Sequence, residues 1–419
     1  MKKPSGLLIA VALAGLAPVS MAAAQSAAPE ISLSQAVRQN AEQARMAMAQ
    51  NNFAAASGYL AQAGAQAQSD GDRYLVATMQ LDIANRTFNT AGQVAAINAL
   101  IASPLVGDPQ RADLYYHLGR IAHNAQDDER ARTALQSAVE RGSVNPRAYI
   151  ALADLTAQRA DYPRALALYD RAVALQRESG ASVPDDWYRR AIDIAQRGGD
   201  ATRAAQISQE LVATYPTSAN WRDALTLYRT IASPDQAAML DLWRLQAATG
   251  ALAGEPDYLA YLRLAHAAGR QPEIERVVLA GKAANMLDSG NAEINSLDRG
   301  TTAAAEALRR AIGGRAGAAA NQASGAAALA AADDYVALGQ YAEAAPLYRM
   351  AVEKGGVDAD LANERLGMTL ALAGDAAGAR TALDAVTGDR GWVSRFWRIY
   401  VDTRSAPTPV AATEASPGG

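Results

Sequence analysis

The residues best suited to chemistry in this chain are few, and their spacing limits what they can do. Three histidines, His117, His123 and His266, are the whole imidazole complement. They are too few and wrongly spaced to share a metal ion from one helix face, so they read as surface or groove side chains. The acidic pairs Asp127-Asp128, Asp185-Asp186 and Asp333-Asp334 are what paired-carboxylate catalysis would need. Two of them stand at expected turns or helix starts, where Asp caps free N–H groups and complements the helix dipole, and capping is the preferred reading. Cys is absent, which excludes disulfides, zinc–thiolate sites, thiol catalysis and a lipid on an N-terminal Cys. There is no Gly-x-Ser-x-Gly elbow, no phosphate loop ending Gly-Lys-Ser/Thr and no His-Glu-x-x-His. No catalytic, cofactor-binding or metal site is therefore expected.

The net charge of −4 argues against a nucleic-acid binder, which would carry a basic stripe. Lys occurs only at 2, 3, 282 and 354, so nearly all positive charge is Arg. That bias is first compositional, and functional only where the guanidiniums converge. Half the residues are apolar and 20% are charged, ordinary for a soluble chain. Aromatics make up only 6%, and much of the apolar content is Ala, which favours closely packed helices over a thick sheet core.

The elements that would position these side chains show themselves between Ala112 and Arg177, where one pattern occurs twice. Tyr115, Leu118, Gly119, Ala131, Leu135 and Ala138 recur 34 positions on as Tyr149, Leu152, Ala153, Ala165, Tyr169 and Ala172. The small residues let two helices cross closely, and the larger ones fill the space between successive pairs. This pattern and period resemble the tetratricopeptide repeat. The resemblance implies an all-α solenoid of helical hairpins wound as a right-handed superhelix, since one hairpin cannot bury its apolar face alone. The anchors it marks are Gly119, Ala131, Ala165, Ala204, Ala237, Ala344, Gly367 and Ala379.

In that family the first helix of each unit lines the concave groove. Carried onto this chain, the groove positions are Asp113, Tyr116, Arg120 and His123, then Arg147, Ile150, Asp154 and Ala157. They continue as Asp186, Arg189, Asp193 and Gln196, then Ala219, Arg222, Thr226 and Arg229, then Arg263 and His266. Tyr116, Arg120, His123, Arg147, Asp154, Arg189, Asp193, Arg222, Arg229 and Arg263 are the candidate partner-binding residues. Well-known members grip a peptide's C-terminal carboxylate with Lys and Asn. Neither stands at the matching positions here, although Arg can hold carboxylates by bidentate pairing. Arg189, Arg222, Arg229 and Arg263 are expected to cluster on the concave side, favouring an anionic partner such as an acidic peptide segment.

Taken in order, residues 1–24 read as a cleaved signal peptide: Lys2 and Lys3, an apolar run from Leu7 to Ala17, then Ala22-Ala23-Ala24. The apolar run is shorter than the roughly 20 residues a membrane span needs, so no transmembrane segment is expected after cleavage. Residues 25–36 read as a disordered lead. Degenerate N-terminal repeats follow over 37–105, with Phe53, Ala56, Leu60 and Ala63 as one match and Phe88, Ala91 and Ala95 as a weaker one. Central repeats span 106–288, the last of them degenerate.

The stretch 289–325 is an eroded repeat or a linker, containing one helix from Thr301 to Ile312 ended by Gly313-Gly314. C-terminal repeats occupy 326–390, a capping helix 391–404, and a disordered tail 405–419. In the capping helix Trp392, Phe396, Ile399 and Tyr400 share a face expected to cover Leu370, Leu383 and Val386. Trp397 and Val393 project to a second side that is open for a partner or for self-association.

These readings converge on an exported, periplasmic or secreted bacterial scaffold that docks a protein or peptide. Two rivals differ in class: an enzyme or enzyme subunit acting on envelope polysaccharide, and a structural protein that self-associates through its ends. The enzyme would require a convergent acid–base pair with a raised pKa, and the sequence presents none.

Overall fold

A computed structural model describes residues 32–405. The expected signal peptide, the start of the lead and the tail beyond Ser405 lie outside the described residues. Every regular element described is an α-helix, and the chain divides into two compact units, Met1–Ser143 and Val144–Gly419.

The first unit holds three hairpins: α1 (Gln35–Ala49) with α2 (Phe53–Ala65), α3 (Asp70–Arg86) with α4 (Thr90–Ala102), and α5 (Asp108–Asn124) with α6 (Asp128–Glu140). One local code builds each turn. The chain leaves the first helix through a left-handed residue, Asn51, Phe88 or Gln126. The next residue, Asn52, Asn89 or Asp127, caps the second helix by accepting from the N–H three residues on. The cap's own N–H reaches back to close the first helix, as from Asp127 to the Ala122 carbonyl at 2.9 Å. Four residues past the cap, Ala56 and Ala131 are fully buried at the helix crossing.

This code corrects one expectation. Phe88 is the left-handed turn residue, 86% exposed, and Ala91 and Ala95 are exposed too. The buried positions of that helix are Ala96, Ile97 and Leu100. The match through Phe88 is two residues out of register with the helix, because the chain uses Phe88 in the turn and not in the core.

At Gly119 the helices approach too closely for any side chain. A Cβ there would lie 2.6 Å from Cγ of Leu135 on α6. Gly367 stands against Leu383 in the same way in the second unit.

The second unit begins with α7 (Pro146–Gln158), α8 (Tyr162–Glu178), α9 (Asp185–Arg197) and α10 (Ala201–Thr214). Asp161 and Asp200 cap α8 and α10, and Ala165 and Ala204 are fully buried. Next come α11 (Ser218–Ala232), α12 (Gln236–Ala248), α13 (Glu255–Ala267) and α14 (Gln271–Ala283). Helix α12 departs from the pattern: Leu240, Asp241, Leu242, Trp243, Arg244, Leu245 and Gln246 are all buried. It is a central helix surrounded by others, so the expected anchor Ala237 is only half-buried and Ala238 is buried beside it.

A short α15 (Ala292–Leu297) precedes α16 (Thr301–Ala320). Helix α16 does not end at Gly313-Gly314; it runs eight residues past Ile312, with Gly313, Gly314 and Gly317 facing open space. Packing of Ala305, Ile312 and Ala319 against neighbouring helices outweighs the ~1 kcal/mol each glycine costs in a helix. Thr301 is the first helical residue, preceded by Gly300 in the left-handed region. The stretch is therefore a packed helix that contacts α14 and α17.

The last hairpins are α17 (Ala326–Ala337) with α18 (Tyr341–Lys354) and α19 (Ala359–Ala373) with α20 (Ala376–Asp384), followed by α21 (Gly391–Ser405). Ala344, Gly367 and Ala379 are buried.

Helix α21 reaches further than a simple cap. It packs on α19 and α20, and also on α10 and α12. Tyr228 of α11 stacks on Trp392 at 6.0 Å and meets Phe396 edge-on at 5.6 Å, while Trp221 lies 6.3 Å from Phe396. The Gln209 side chain donates to the Trp392 carbonyl at 3.3 Å across 183 residues of sequence. Trp397 and Val393, expected on an open second side, are 0% and 1% exposed. The side turned toward α10 and α11 is the one that carries Trp392 and Phe396. Trp397 and Val393 are therefore core residues and not the free surface expected for self-association.

Candidate functional site

A cleft of about 610 Å³ lies within the first unit, between the second hairpin and α5. Its α3 wall presents Tyr74, Thr78, Leu81 and Asn85, spaced so that all fall on one helix face. Helix α4 contributes Gln93, Ile97 and Leu100, and α5 contributes Asp113, Leu114, His117, Arg120, Ile121 and Asn124. The floor is apolar, and the rim carries the amides of Asn85, Gln93, Gln110 and Asn124, with Gln93 donating to Asn85 at 3.1 Å. Phe88 stands almost wholly exposed at the lip.

The cleft perturbs its ionisable groups. Burial raises the Asp113 carboxyl, and the nearby His117 opposes that shift. Burial lowers the His117 imidazole, and Arg120 lowers it further while Asp113 works the other way. His117 also rests against the Tyr116 ring, with centroids 5.6 Å apart. At neutral pH the wall therefore presents a neutral imidazole between an acid and a base.

The candidate groove residues do not form one free cationic surface. Tyr116 is buried and belongs to the core. Arg120 lines the cleft, while His123 is exposed with Nδ1 3.4 Å from Asp128. Arg147 is exposed, Asp154 accepts from Arg190 at 2.6 Å, and Asp193 lies 3.5 Å from Arg197. Arg189 donates to Asn220 of α11 at 2.6 Å, and Arg222 to the Ala251 carbonyl at 3.1 Å. Arg263 grips Glu293 of α15 with both nitrogens, at 2.6 and 2.8 Å. Arg229 lies over the Trp243 ring at 4.0 Å and donates to Gln246 at 2.7 Å. Burial brings its pKa down to about 10. Each of these four arginines ties its helix to the next segment, so the expected convergence on an anionic partner is not what their geometry serves.

Sequence reasoning missed an ionic cluster inside the second unit. Arg244 of α12 forks onto Glu273 at 2.8 and 2.7 Å and bonds Asp241 at 2.6 Å. Arg365 of α19 reaches Asp241 at 3.2 Å and holds Asp333 with bonds of 2.9 and 2.8 Å. Tyr261 donates to Glu273 and Tyr348 to Asp333, at 2.7 and 2.6 Å. Arg390, just before α21, bonds Glu364 at 2.9 Å and Asp235, the cap of α12, at 3.3 Å. Asp333 thus sits inside α17 as part of the buried network, and Asp334 beside it is half-buried and pairs with Arg270 and Arg315. One sequence signal was available: Asp241 stands between Leu240 and Leu242 in a helix with no polar face.

The cluster sets two carboxyls apart. Burial would raise Glu273, but Arg244 and the Tyr261 hydroxyl hold it down at about 2. Burial and the neighbouring Asp241 push Glu364 up to about 8, against the pull of Arg390. Glu364 is thus a raised carboxyl beside a second acid, a combination the sequence did not reveal. It is 0% exposed, so it has no access to a substrate from solvent. Among the described residues no group of three or more metal-ligating side chains forms, and no helix is long and apolar enough to cross a membrane.

Helical hairpins at a near-constant period, small residues at each crossing and a cleft between successive hairpins define a helical repeat protein of the kind that serves as an interaction scaffold. The tetratricopeptide repeat family model matches residues 94–146, 129–182 and 329–391. These stretches of the chain are tetratricopeptide repeats.

Among solved structures, it is similar to a tetratricopeptide repeat protein from Parabacteroides merdae, with 14% identity, 64% of this chain and 100% of that one covered, and a TM-score of 0.34. MamA protein aligns at 13% identity over 43% of this chain and 93% of its own, with a TM-score of 0.33. A TPR2AB domain of yeast Sti1, solved as a pHSP90 complex, aligns at 16% identity over 70% and 98%, with a TM-score of 0.24. No curated protein matches.

Proposed function

We propose that this chain is a non-enzymatic scaffold of the bacterial cell envelope that docks a segment of a protein partner in the cleft between α3, α4 and α5. The cleft itself carries the reading. It pairs an apolar floor with a rim of side-chain amides, which suits apolar anchor side chains below and a peptide backbone above. The exposed Phe88 at its lip supports the same reading, since a large apolar side chain left in water at a groove commonly marks a contact surface. Export rests on the charged start, apolar run and small-residue cleavage motif of residues 1–24.

The test is site-specific photo-crosslinking of the full chain in its native cells. A photoreactive residue at Phe88 or Gln93 should give a discrete protein adduct, and one at Arg263 should not. No adduct from either cleft position would refute the docking site. Fractionation and N-terminal sequencing check the export half separately: a cytoplasmic, uncleaved chain would refute it.

A further inference from the structure

The second unit holds a smaller, half-open cavity of about 270 Å³, lined from α12, α13, α14, α17, α18 and α19. Its polar wall is unbalanced. Glu273 is the carboxylate there, and its oxygens already take two bonds from Arg244 and one from Tyr261. Arg276, on the same wall, has no carboxylate within 4.0 Å among the described residues. It donates instead to the Ala337 and Val336 carbonyls, at 3.0 and 3.4 Å, and to the Tyr341 hydroxyl at 3.3 Å. Those carbonyls end α17, so Arg276 closes a helix terminus, but the partial charge of a helix end offsets only about half of a full cation.

The hydroxyls complete the pattern. Tyr341 accepts from Arg276 and keeps its own O–H to give, and Tyr258 has no hydrogen-bond partner among the described residues. The cavity wall thus carries a guanidinium bonded only to neutral oxygens, with Glu273 acting on it from beyond ion-pair distance, and two phenolic donors. The rest of the wall, including Val277, Leu252 and Leu372, is apolar.

We propose that this cavity binds a small organic acid, its carboxylate on Arg276 and the Tyr341 and Tyr258 hydroxyls and its short apolar tail against Val277 and Leu372. The volume favours a free acid over a chain segment, being below the range of ordinary ligand pockets. The site is separate from the first unit's cleft and does not depend on a protein docking there.

Calorimetric titration of the full chain with acetate, butyrate, benzoate, inorganic phosphate and choline tests it. Butyrate or benzoate should bind saturably and choline should not. Arg276→Met should weaken binding by at least ~tenfold, the loss of a charge-assisted contact. Should that variant misfold by circular dichroism, Ala280→Leu serves instead. It narrows the mouth at an exposed position and leaves every donor in place, so binding should also be lost. The proposal is overturned if no acid saturates by ~10 mM, or if a folded Arg276→Met or Ala280→Leu chain binds as well as the parent. Binding of a peptide carboxylate with none of the free acids overturns it equally.

Discussion

Nε of Arg365 lies 3.2 Å from Oδ2 of Asp241, tying α19 to a helix 124 residues earlier, with both side chains buried. A solenoid whose repeats touched only their neighbours would not place these residues together. The contact shows that the second unit is cross-braced, and the brace is ionic. Asp241→Asn should therefore destabilise the chain by about 3–5 kcal/mol, because it leaves Arg365 and Arg244 facing a neutral amide in the core. Urea titration measures this. Arg130→Ala, which removes an exposed pair with Asp127 at 3.3 Å, should cost no more than ~0.5 kcal/mol in the same assay.

The two displaced carboxyls give stability a particular dependence on pH. Glu364, with a folded pKa raised to about 8, binds its proton more tightly in the folded chain. Its contribution is full below the unfolded value near 4.5 and is lost as pH rises through about 8. Glu273, held at about 2, contributes above the unfolded value and loses that contribution as pH falls toward 2. Melting temperature should fall from pH 5 to pH 8, and Glu364→Gln should flatten that slope while leaving the acid limb unchanged. An unaltered slope in the variant would assign the dependence to other groups.

Helix α21 should be indispensable to the second unit. Deleting 391–419 strips the cover from Trp221 and Tyr228 as well as from α19 and α20, exposing apolar surface on several helices at once. Full burial of Phe396 alone contributes about 2–3 kcal/mol. The shortened chain should aggregate or lose its cooperative transition, as read by light scattering and calorimetry. Deleting 406–419, which keeps all of α21, should do neither.

Gly119→Ala should destabilise the first unit by about 1–3 kcal/mol, although Ala is the better helix former. The added Cβ would meet Leu135 at 2.6 Å and must push α5 from α6. Denaturant titration checks it, and Gly119→Ala with Leu135→Ala should recover part of the loss.

Arg229→Glu should cost about 1–3 kcal/mol, since it removes a stacked cation from Trp243 and a bond to Gln246. A free groove residue would tolerate the change with its melting temperature unmoved. Thermal unfolding distinguishes the two.

The fold was largely legible because its code is local. Ala131, Ala165, Ala204 and Ala379 each follow an Asp cap by four residues, and cap and anchor act within one helical turn. What escaped was non-local. Nothing near Asp241 in sequence announces Arg365, and nothing near Trp392 announces α10, because those partners are set by how the second unit closes. The cleft was half legible: repeat offsets pointed to Asp113 and Arg120, but the amides of Asn85 and Gln93 come from the preceding hairpin. Phe88 misled, because a large apolar residue beside a helix start reads as core until its backbone is seen in the left-handed region.

The reach of α21 also fixes when the second unit can finish folding during synthesis. A stack of local hairpins can form pair by pair as it leaves the ribosome, and the hairpins of the first unit have that character. Trp221 and Tyr228 meet their aromatic partners only after Trp392 and Phe396 have emerged, more than 160 residues later. At ribosomal speeds of about 5–20 residues per second, an apolar trough on α11 and α12 stays open for roughly ten to thirty seconds in every nascent chain. For that interval the growing chain is a client for holding factors, and its last helix is what releases it.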